Sequence, residues 1–216
     1  MKVLNLGELT LVDSMGSDLS VVQGARISNG AALPEWRDGS DEKLIRFLAE
    51  HKHTSPFEHV TASFYVKAPI FVFREWMRHR TLSYNEMSGR YKKLKPEFFF
   101  PDKVRIPDPA NRQGSVEVDS GLFALDANYS LAYDAAWTSY ETMLEHGVAR
   151  ELARAVLPVG IYSEMIVTGN LLNWAKFWKL RVSPDAQLEI RKYAEAIGDE
   201  LDKIAPLSFA ALRYNL

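Results

Sequence analysis

The chain has 216 residues and contains neither a cysteine nor a long run of apolar residues. Without thiols it cannot form disulfides, thiolate zinc sites or a cysteine nucleophile, so chemistry that needs a thiolate is excluded. No stretch approaches the roughly 18 to 20 consecutive apolar residues of a membrane span, and residues 1–8 lack the apolar core of a secretory signal. We therefore expect a cytoplasmic protein with no membrane partner.

The chain also lacks a large excess of charge of either sign, because 26 basic residues are balanced by 28 acidic ones to a net charge of -2. Proteins that coat nucleic acids need a broad basic surface, so we expect no nucleic-acid partner. The five histidines show no H-E-x-x-H spacing, and we expect no metal. With 47% hydrophobic residues the chain can bury a substantial core, which predicts a single domain over residues 1–216.

Hydrophobic periodicity indicates a mixture of strands and helices. Apolar and polar residues alternate from Val60 to Ala68, which predicts a half-buried strand. Pro69 then opens a helical spacing of apolar residues that predicts a helix over about 69–79. Such a helix would place Arg78 and His79 at its C-terminal end.

Further helices are predicted from cap signals and apolar spacing: Ser40 to about Lys52, a short turn opened by a Ser55-x-x-Glu58 capping box, Leu125 to just before Gly147, and Ser183 to Ile204. Residues 101–119 are rich in proline and polar side chains and are predicted to form a surface loop. The segments Val159–Val167 and Leu171–Leu180 fit a strand or a helix equally well. The order predicts an α+β fold with a mixed sheet core flanked by long helices.

The most informative stretch is residues 78–91, RHRTLSYNEMSGRY, which combines three guanidinium groups with an imidazole, a carboxylate and hydroxyls. Guanidinium groups are planar, permanently charged and matched to phosphate geometry, so Arg78, Arg80 and Arg90 suit a phosphorylated ligand such as a nucleotide. Arg154 and Arg181 from later segments extend this set. A solvated basic loop is the alternative, and residue types alone leave it open.

Other side chains of the same stretch allow more than one role. Asn85 and Glu86 can hydrogen-bond a base or a flavin edge, and Glu86 can equally pair with a neighbouring arginine. His79 lies next to two arginines that disfavour its charged form, and its neutral ring can donate to a ligand or to a backbone carbonyl. Ser83 and Ser88 lie in no G-x-S-x-G turn, which disfavours a serine hydrolase.

Arg78-His79-Arg80, followed after seven residues by Ser88, resembles the RHRX7S signature of the flavin-dependent thymidylate synthases. The resemblance extends to residues 51–59, 85–91 and 153–158, to Asn170 and to Leu180-Arg181, and is weakest over residues 101–120.

The resemblance implies reductive methylation of dUMP to dTMP. The methylene group comes from 5,10-methylenetetrahydrofolate and the hydride from FAD that NADPH has reduced. This route needs no enzyme thiolate, which is compatible with the missing cysteine. The resemblance also implies a ThyX-like α/β core in a homotetramer, with each active site built from several chains.

Site residues are carried over by matching positions. The implied dUMP contacts are Glu75, Arg78, Glu86, Met87, Ser88, Gly89, Arg90, Arg154 and Arg181. The implied FAD contacts are His53, Ser55, Arg78, His79, Arg80, Asn85, Glu86 and Asn170, together with the positions of Leu172 and Lys176. Arg181 is the implied catalytic residue, because a fixed cation beside N3 of uracil stabilises the ionised ring and enriches electron density at C5.

Two positions depart from the pattern of the family near the flavin, where an arginine and a histidine or asparagine are usual. Leu172 cannot donate a hydrogen bond, and Lys176 is a point charge on a flexible stem. We therefore expect weaker or differently posed FAD. Two alternatives stay open: a flavin reductase-like relative that binds nucleotide without methyl transfer, and a phosphate- or RNA-binding module.

Overall fold

The computed structural model describes residues 1–30, 33–118 and 125–216. Its strands and helices are, in chain order, β1 (Lys2–Val3), β2 (Gly7–Met15), α1 (Asp18–Arg26), α2 (Ser40–Glu50), β3 (Thr61–Pro69), α3 (Ile70–Trp76), β4 (Ser83–Glu86), β5 (Arg105–Pro107), β6 (Ser115–Glu117), α4 (Leu125–Glu145), α5 (Arg150–Ala153), β7 (Tyr162–Asn170), α6 (Leu171–Arg181), α7 (Leu188–Ile204) and α8 (Pro206–Asn215). Short 3-10 helices cover Ile27–Asn29, Ser55–His59 and Arg154–Val156. The α+β class expected from the sequence is confirmed.

Five strands form one sheet in the order β1-β2-β3-β7-β4, and every neighbouring pair is antiparallel. The expectation of a mixed sheet is therefore wrong for the described residues. Strands β3 and β7 pair from Thr61 opposite Asn170 to Pro69 opposite Tyr162. An antiparallel sheet can leave one face polar, and the alternation over Val60–Ala68 already fits burial on a single face.

One face of the sheet carries the main core. Phe64 and Val66 of β3 lie opposite Val167 and Met165 of β7, and all four side chains are buried. Trp174 of α6 packs edge-on against Phe64, with the ring centroids 5.1 Å apart. Complete burial of such side chains stabilises the fold by about 1.5–3 kcal/mol each, so this face holds α6 on the sheet.

The opposite face is polar and partly open to solvent. The hydroxyls of Ser63 and Thr168, from the paired strands, are hydrogen-bonded at 2.8 Å. Ile166 on the same face is 37% exposed, and Asn85 of β4 lies opposite it in the ladder. Strand β4, which belongs to the polar segment 78–91, therefore contributes Asn85 to this face.

The predicted strand over Val60–Ala68 and the helices near residues 40–52, 69–79 and 125–146 are confirmed as β3, α2, α3 and α4. Pro69 closes β3 and also caps α3, and α3 ends at Trp76, so Arg78 and His79 follow the helix. The two ambiguous segments form β7 and α6. The chain passes from strand to helix at Asn170, whose side chain caps α6 by accepting a hydrogen bond from the amide of Asn173.

None of the helices described here is long and apolar enough to cross a membrane.

The last helical region differs from the prediction. Helix α7 begins at Leu188, whereas Ser183 and Pro184 lie in a preceding turn. The Ser183 hydroxyl accepts from the amide of Asp185 at 3.3 Å, so it supports that local turn rather than a helix start. A separate helix, α8, then starts at Pro206.

Two local predictions upstream also need correction. The turn at Ser55 is present as a 3-10 helix, but its N-cap is Thr54 and no side chain caps it, so the predicted capping box is absent there. The predicted loop over 101–119, whose last residue lies outside the described residues, contains the hairpin β5–β6. Arg105 of the hairpin pairs with Glu189, and Asn111 donates to Asp185 at 2.6 Å. These partners are distant in the sequence, so local composition could not predict the hairpin.

Candidate active site

Arg181, the last residue of α6, is only 9% exposed and is held from three sides. Its Nε donates to Nε2 of His79 at 2.9 Å, and its Nη1 donates to Oε2 of Glu75 at 2.7 Å. Its Nη2 donates to the backbone carbonyl of Glu75, also at 2.7 Å. The guanidinium plane is therefore fixed before any ligand arrives, and two of its five N–H groups remain for other acceptors.

His79 is the acceptor that fixes the Nε edge of Arg181. Because its Nε2 accepts, the proton of the neutral ring must be on Nδ1. Burial, together with the positive charge of Arg181, lowers the pKa of His79 to about 4, although Glu75 acts in the opposite direction. The expectation that its charged form is disfavoured is confirmed, but burial and Arg181 are the causes rather than the flanking arginines.

Tyr84 completes this cluster from β4. Its hydroxyl donates to the backbone carbonyls of Trp76, at 2.8 Å, and of His79, at 2.9 Å. Burial raises the pKa of Tyr84, against the opposing effect of Arg181. The sequence reasoning missed this residue; its only signal was a phenol inside the polar stretch. Glu75, His79, Tyr84 and Arg181 are called the Arg181 cluster below.

A second group of side chains lies after β4. The Ser88 hydroxyl accepts from the amide of Arg90 at 3.3 Å, and Nε of Arg90 pairs with Glu151 at 3.0 Å. A Cβ added to Gly89 would lie 3.3 Å from Cδ of Arg154, so the absence of a side chain lets that arginine lie against the backbone. Ser88, Gly89, Arg90 and Arg154 are called the Arg154 cluster below.

The two clusters lie at opposite ends of β4. His79 precedes the strand and Ser88 follows it, and the four strand residues Ser83–Glu86 are paired with β7. At about 3.3 Å per strand residue, β4 alone spans more than about 10 Å. One chain thus presents the two groups as separate halves.

Several predicted ligand residues are exposed cations and rings. Within the described residues, the side chains of Arg78 and Arg80 make no hydrogen bond or ion pair, and both are exposed. His53 is exposed beside the ring of His51, with the centroids 6.3 Å apart, and that ring stacks on Phe47 at 4.0 Å. These exposed groups come from two separate segments of the chain. Ser55 is exposed in the 3-10 turn that follows His53.

The remaining predicted residues have structural contacts. Glu86 accepts a hydrogen bond from the hydroxyl of Ser163 at 2.7 Å, and Asn170 caps α6. Leu172 is 4% exposed and belongs to the main core, whereas Lys176, one turn later, is exposed. Met87 donates its amide to the carbonyl of Glu164 at 2.8 Å, which prolongs the pairing of β4.

A cavity of about 810 Å³ opens beside the Arg181 cluster. Glu75 lines it from α3, together with Phe99, Tyr129 and Tyr133. Arg181 is not among its lining residues, whereas Glu75 both lines the cavity and contacts Arg181. Among the described residues, no three His, Asp or Glu side chains lie close enough together to hold a metal ion.

Comparison with known proteins identifies similar chains over nearly the full length. The family described as thymidylate synthase complementing protein (Thy1) matches residues 10–207. A flavin-dependent thymidylate synthase from Thermus thermophilus is 45% identical over 216 residues, which covers 99% of this chain and 78% of that protein. Another from Kosmotoga olearia is 43% identical and covers 98% of this chain and 92% of its own length.

Among solved structures, the fold is similar to a crystal structure of a UMP/dUMP methylase, PolB from Streptomyces cacaoi, bound with 5-Br dUMP. The TM-score is 0.90 at 35% sequence identity, and the alignment covers 99% of this chain and 97% of that chain. The same methylase bound with 5-Br UMP gives a TM-score of 0.87. The antiparallel sheet and the helices around it thus have the same overall arrangement as in that methylase.

Proposed function

The chain belongs to the thymidylate synthase complementing protein family, the flavin-dependent thymidylate synthases, and from this premise we propose that it converts dUMP to dTMP. In the proposed reaction, dUMP, 5,10-methylenetetrahydrofolate, NADPH and a proton give dTMP, tetrahydrofolate and NADP. A new carbon–carbon bond forms at C5 of uracil, the C5 proton leaves, and the bonds from the methylene carbon to the folate nitrogens break. The observation that supports this proposal best is the prearranged guanidinium of Arg181 in a chain without thiols.

Activation of uracil is the step that this chain must perform without a thiolate. In the proposed complex the two free N–H groups of Arg181 face N3 and a neighbouring carbonyl oxygen of the base. A fixed cation there stabilises the ionised ring and enriches electron density at C5, the atom that attacks the methylene group. Preorganisation matters because no reorientation of the arginine is needed when charge develops.

The Arg154 cluster is proposed to hold the phosphate of dUMP. Arg154 and Arg90 supply charge-assisted donors, and the backbone at Gly89 allows a close approach of phosphate oxygens. Ser88, beside these amides, is a positioning hydroxyl rather than a nucleophile. Glu86 and Met87 connect this phosphate site to the strand that leads back toward the base.

FAD is the proposed cofactor, and the exposed side chains fit it. Arg78 and Arg80, whose guanidinium groups have no side-chain partner among the described residues, suit the pyrophosphate of a dinucleotide. The exposed imidazole of His53 offers a flat face for a ring system. When bound, the flavin supplies the hydride that reduces the transferred carbon to a methyl group.

A homotetramer with shared sites is proposed because the base and phosphate groups of one chain lie at opposite ends of β4. A nucleotide held by both kinds of group would then combine the Arg181 cluster of one chain with the Arg154 cluster of another. Mixing Arg181→Ala and Arg154→Ala chains tests this directly when dUMP is kept far below its KM for the Arg154→Ala protein, so that each variant alone has little activity. Random reassembly should restore up to roughly a quarter of wild-type activity, since only sites with both intact halves work. No recovery after confirmed subunit exchange would refute shared sites.

The overall reaction is tested by anaerobic dTMP formation, followed by mass spectrometry with dUMP, methylenetetrahydrofolate, FAD and NADPH omitted in turn. We expect product only when all four are present. Consumption of NADPH without dTMP would identify a flavin reductase-like enzyme instead. UMP in place of dUMP should be run as a parallel arm, because a relative of this fold is a UMP/dUMP methylase.

A further inference from the structure

Glu75 contacts Arg181 twice, through its carboxylate and through its own backbone carbonyl. The carboxylate is an ion-pair partner at 2.7 Å, whereas His79 contributes a neutral acceptor on the other edge. Any anion that approaches the free N–H groups of Arg181 therefore meets a cation whose charge is already partly compensated. A compensated cation stabilises a neighbouring anion less than a free one does.

We propose that Glu75 is a positioning residue that acts through Arg181: it fixes the guanidinium and offsets its charge, and so sets how strongly bound uracil is ionised. The proposal rests on the proposed function, because it requires uracil to lie against Arg181. It differs from a direct contact between Glu75 and the nucleotide. Its distinguishing consequence is a change in the ionisation of the ligand when the charge of Glu75 is removed.

The surroundings of Arg181 leave Glu75 as the group to test. The other side chains that hydrogen-bond or electrostatically face the arginine are His79, after α3, and Tyr84, on β4. The pKa of His79 is lowered to about 4 and that of Tyr84 is raised, both mainly by burial, so neither changes charge near neutral pH. Helix α7, which packs against α6, contributes the neutral ring of Tyr193, whose pKa burial also raises.

Solvent limits the expected size of the effect. The side chain of Glu75 is 39% exposed, toward the cavity beside α3, and water there screens its field. The change in ionisation of the ligand should therefore be about 0.5 to 1 pH unit, below the 1 to 3 units typical of an unscreened adjacent charge.

The test uses 5-fluoro-dUMP bound to the FAD-loaded protein, with ring ionisation followed by fluorine NMR as pH is varied. Glu75→Gln should move the midpoint about 0.5 to 1 unit toward lower pH, since it strengthens the net positive field at the ring. Glu75→Asp keeps the charge and should keep the wild-type midpoint even if binding weakens. Glu151→Gln removes a carboxylate beside Arg90 and should leave the midpoint unchanged.

Two results would overturn the inference. One is weaker binding of the probe by Glu75→Gln with an unmoved midpoint, which would indicate a direct contact with the nucleotide or a purely structural role. The other is the same shift in Glu75→Gln and Glu75→Asp, which would exclude charge as the cause. If Glu75→Gln does not fold, the Glu75→Asp midpoint still tests the proposal, because a shift in a variant that keeps the charge contradicts it. Wild-type dTMP formation, measured separately, distinguishes failure of this inference from failure of the proposed function.

Discussion

The Arg181 cluster and the Arg154 cluster contain the same kind of residue in opposite physical states. Arg181 is buried, and three of its N–H groups have partners within the chain. Arg154 is exposed, and no hydrogen bond or ion pair holds its side chain within the described residues. Arg181 is thus held in place by the fold, whereas Arg154 lacks a hydrogen-bond acceptor among the described residues, although its neighbour Arg90 pairs with Glu151.

This difference indicates how the work of the proposed reaction is divided. A cation that must act on a developing charge benefits from being fixed in advance, because no free energy is spent on orienting it during the reaction. A cation that only holds a phosphate can be exposed and mobile, because the ligand orders it on binding. In the proposed reaction, folding therefore fixes Arg181, whereas the ligand or another chain would order Arg154.

The largest expected effect comes from replacing Arg181 by lysine. One ammonium lacks the planar fork that reaches Nε2 of His79, the carboxylate of Glu75 and the backbone carbonyl of Glu75 together, so some of these acceptors lose their partner. We expect the free energy of unfolding to fall by about 2–3 kcal/mol and dTMP formation to fall more than about 100-fold. Urea unfolding and product assays measure both effects.

The matched control for that variant is Arg90→Lys in the Arg154 cluster. Its ion pair with Glu151 is exposed on both sides, so the free energy of unfolding should change by less than about 0.5 kcal/mol. Equal destabilisation by Arg181→Lys and Arg90→Lys would remove the distinction between a buried arginine fixed by the fold and an exposed one.

Replacing Arg154 by alanine should act on binding and spare the fold. Loss of a charge-assisted phosphate contact worth about 1.5–3 kcal/mol raises the KM for dUMP by about 10- to 100-fold. The effect should shrink at high salt, which screens the wild-type contact. Arg150→Ala, which removes only a bond to the Tyr91 carbonyl, is the control. An Arg154→Ala protein that unfolds at lower urea with unchanged KM would contradict this assignment.

Acidification should affect the Arg181 cluster through His79. Its pKa is about 4 in the folded protein and about 6.5 in the unfolded chain, so its neutral form stabilises the fold fully above pH 6.5. This contribution should be lost progressively as the pH falls from 6.5 through 4, and amounts to about 2 kcal/mol after allowance for partial exposure. Urea unfolding at several pH values measures it.

The control for the pH prediction is His79→Gln, which keeps an acceptor for Arg181 but cannot take up a proton in this range. Its free energy of unfolding should fall less than that of the wild type between pH 6.5 and 4. If the two proteins lose stability in parallel, another group accounts for the acid sensitivity.

The smallest expected effect concerns the exposed segment that presents His53. Lys52 has a φ of 57°, a left-handed conformation that favours glycine, and it follows the end of α2. Lys52→Gly should therefore raise the free energy of unfolding by about 0.5–1 kcal/mol. Gly147, with a φ of 78° after α4, gives the reverse control, because Gly147→Ala should lower it by about 1 kcal/mol. No gain from Lys52→Gly would mean that the lysine makes compensating contacts.

Leu172 and Tyr84 illustrate where prediction from the sequence stopped. The resemblance placed Leu172 at the flavin, and a role there stays a prediction, but the structure places its side chain in the core. An arginine at this position would thus cost folding stability, because it buries an unpaired charge. Tyr84 was missed because its two carbonyl partners depend on how β4 returns past α3.

Local patterns in the sequence were sufficient for β3, α3 and α4, because periodic burial leaves a periodic sequence. Strands β1, β2 and β4 and the hairpin β5–β6 went unpredicted. For β2 and β4, pairing with distant strands adds to local preference, because β2 pairs with β3 and β4 pairs with β7.

The sequence alone determined the chemical character of the site: a chain without thiols, clustered arginines, and the Arg78-His79-Arg80 motif with Ser88 that identifies the family. Only the tertiary structure decided which arginine is fixed and by what. Arg181 lies 102 residues from His79 and 106 from Glu75 along the chain. The antiparallel pairing and the packing of α6 bring them into contact, and burial then makes His79 neutral and the guanidinium rigid, which no local pattern in the sequence records.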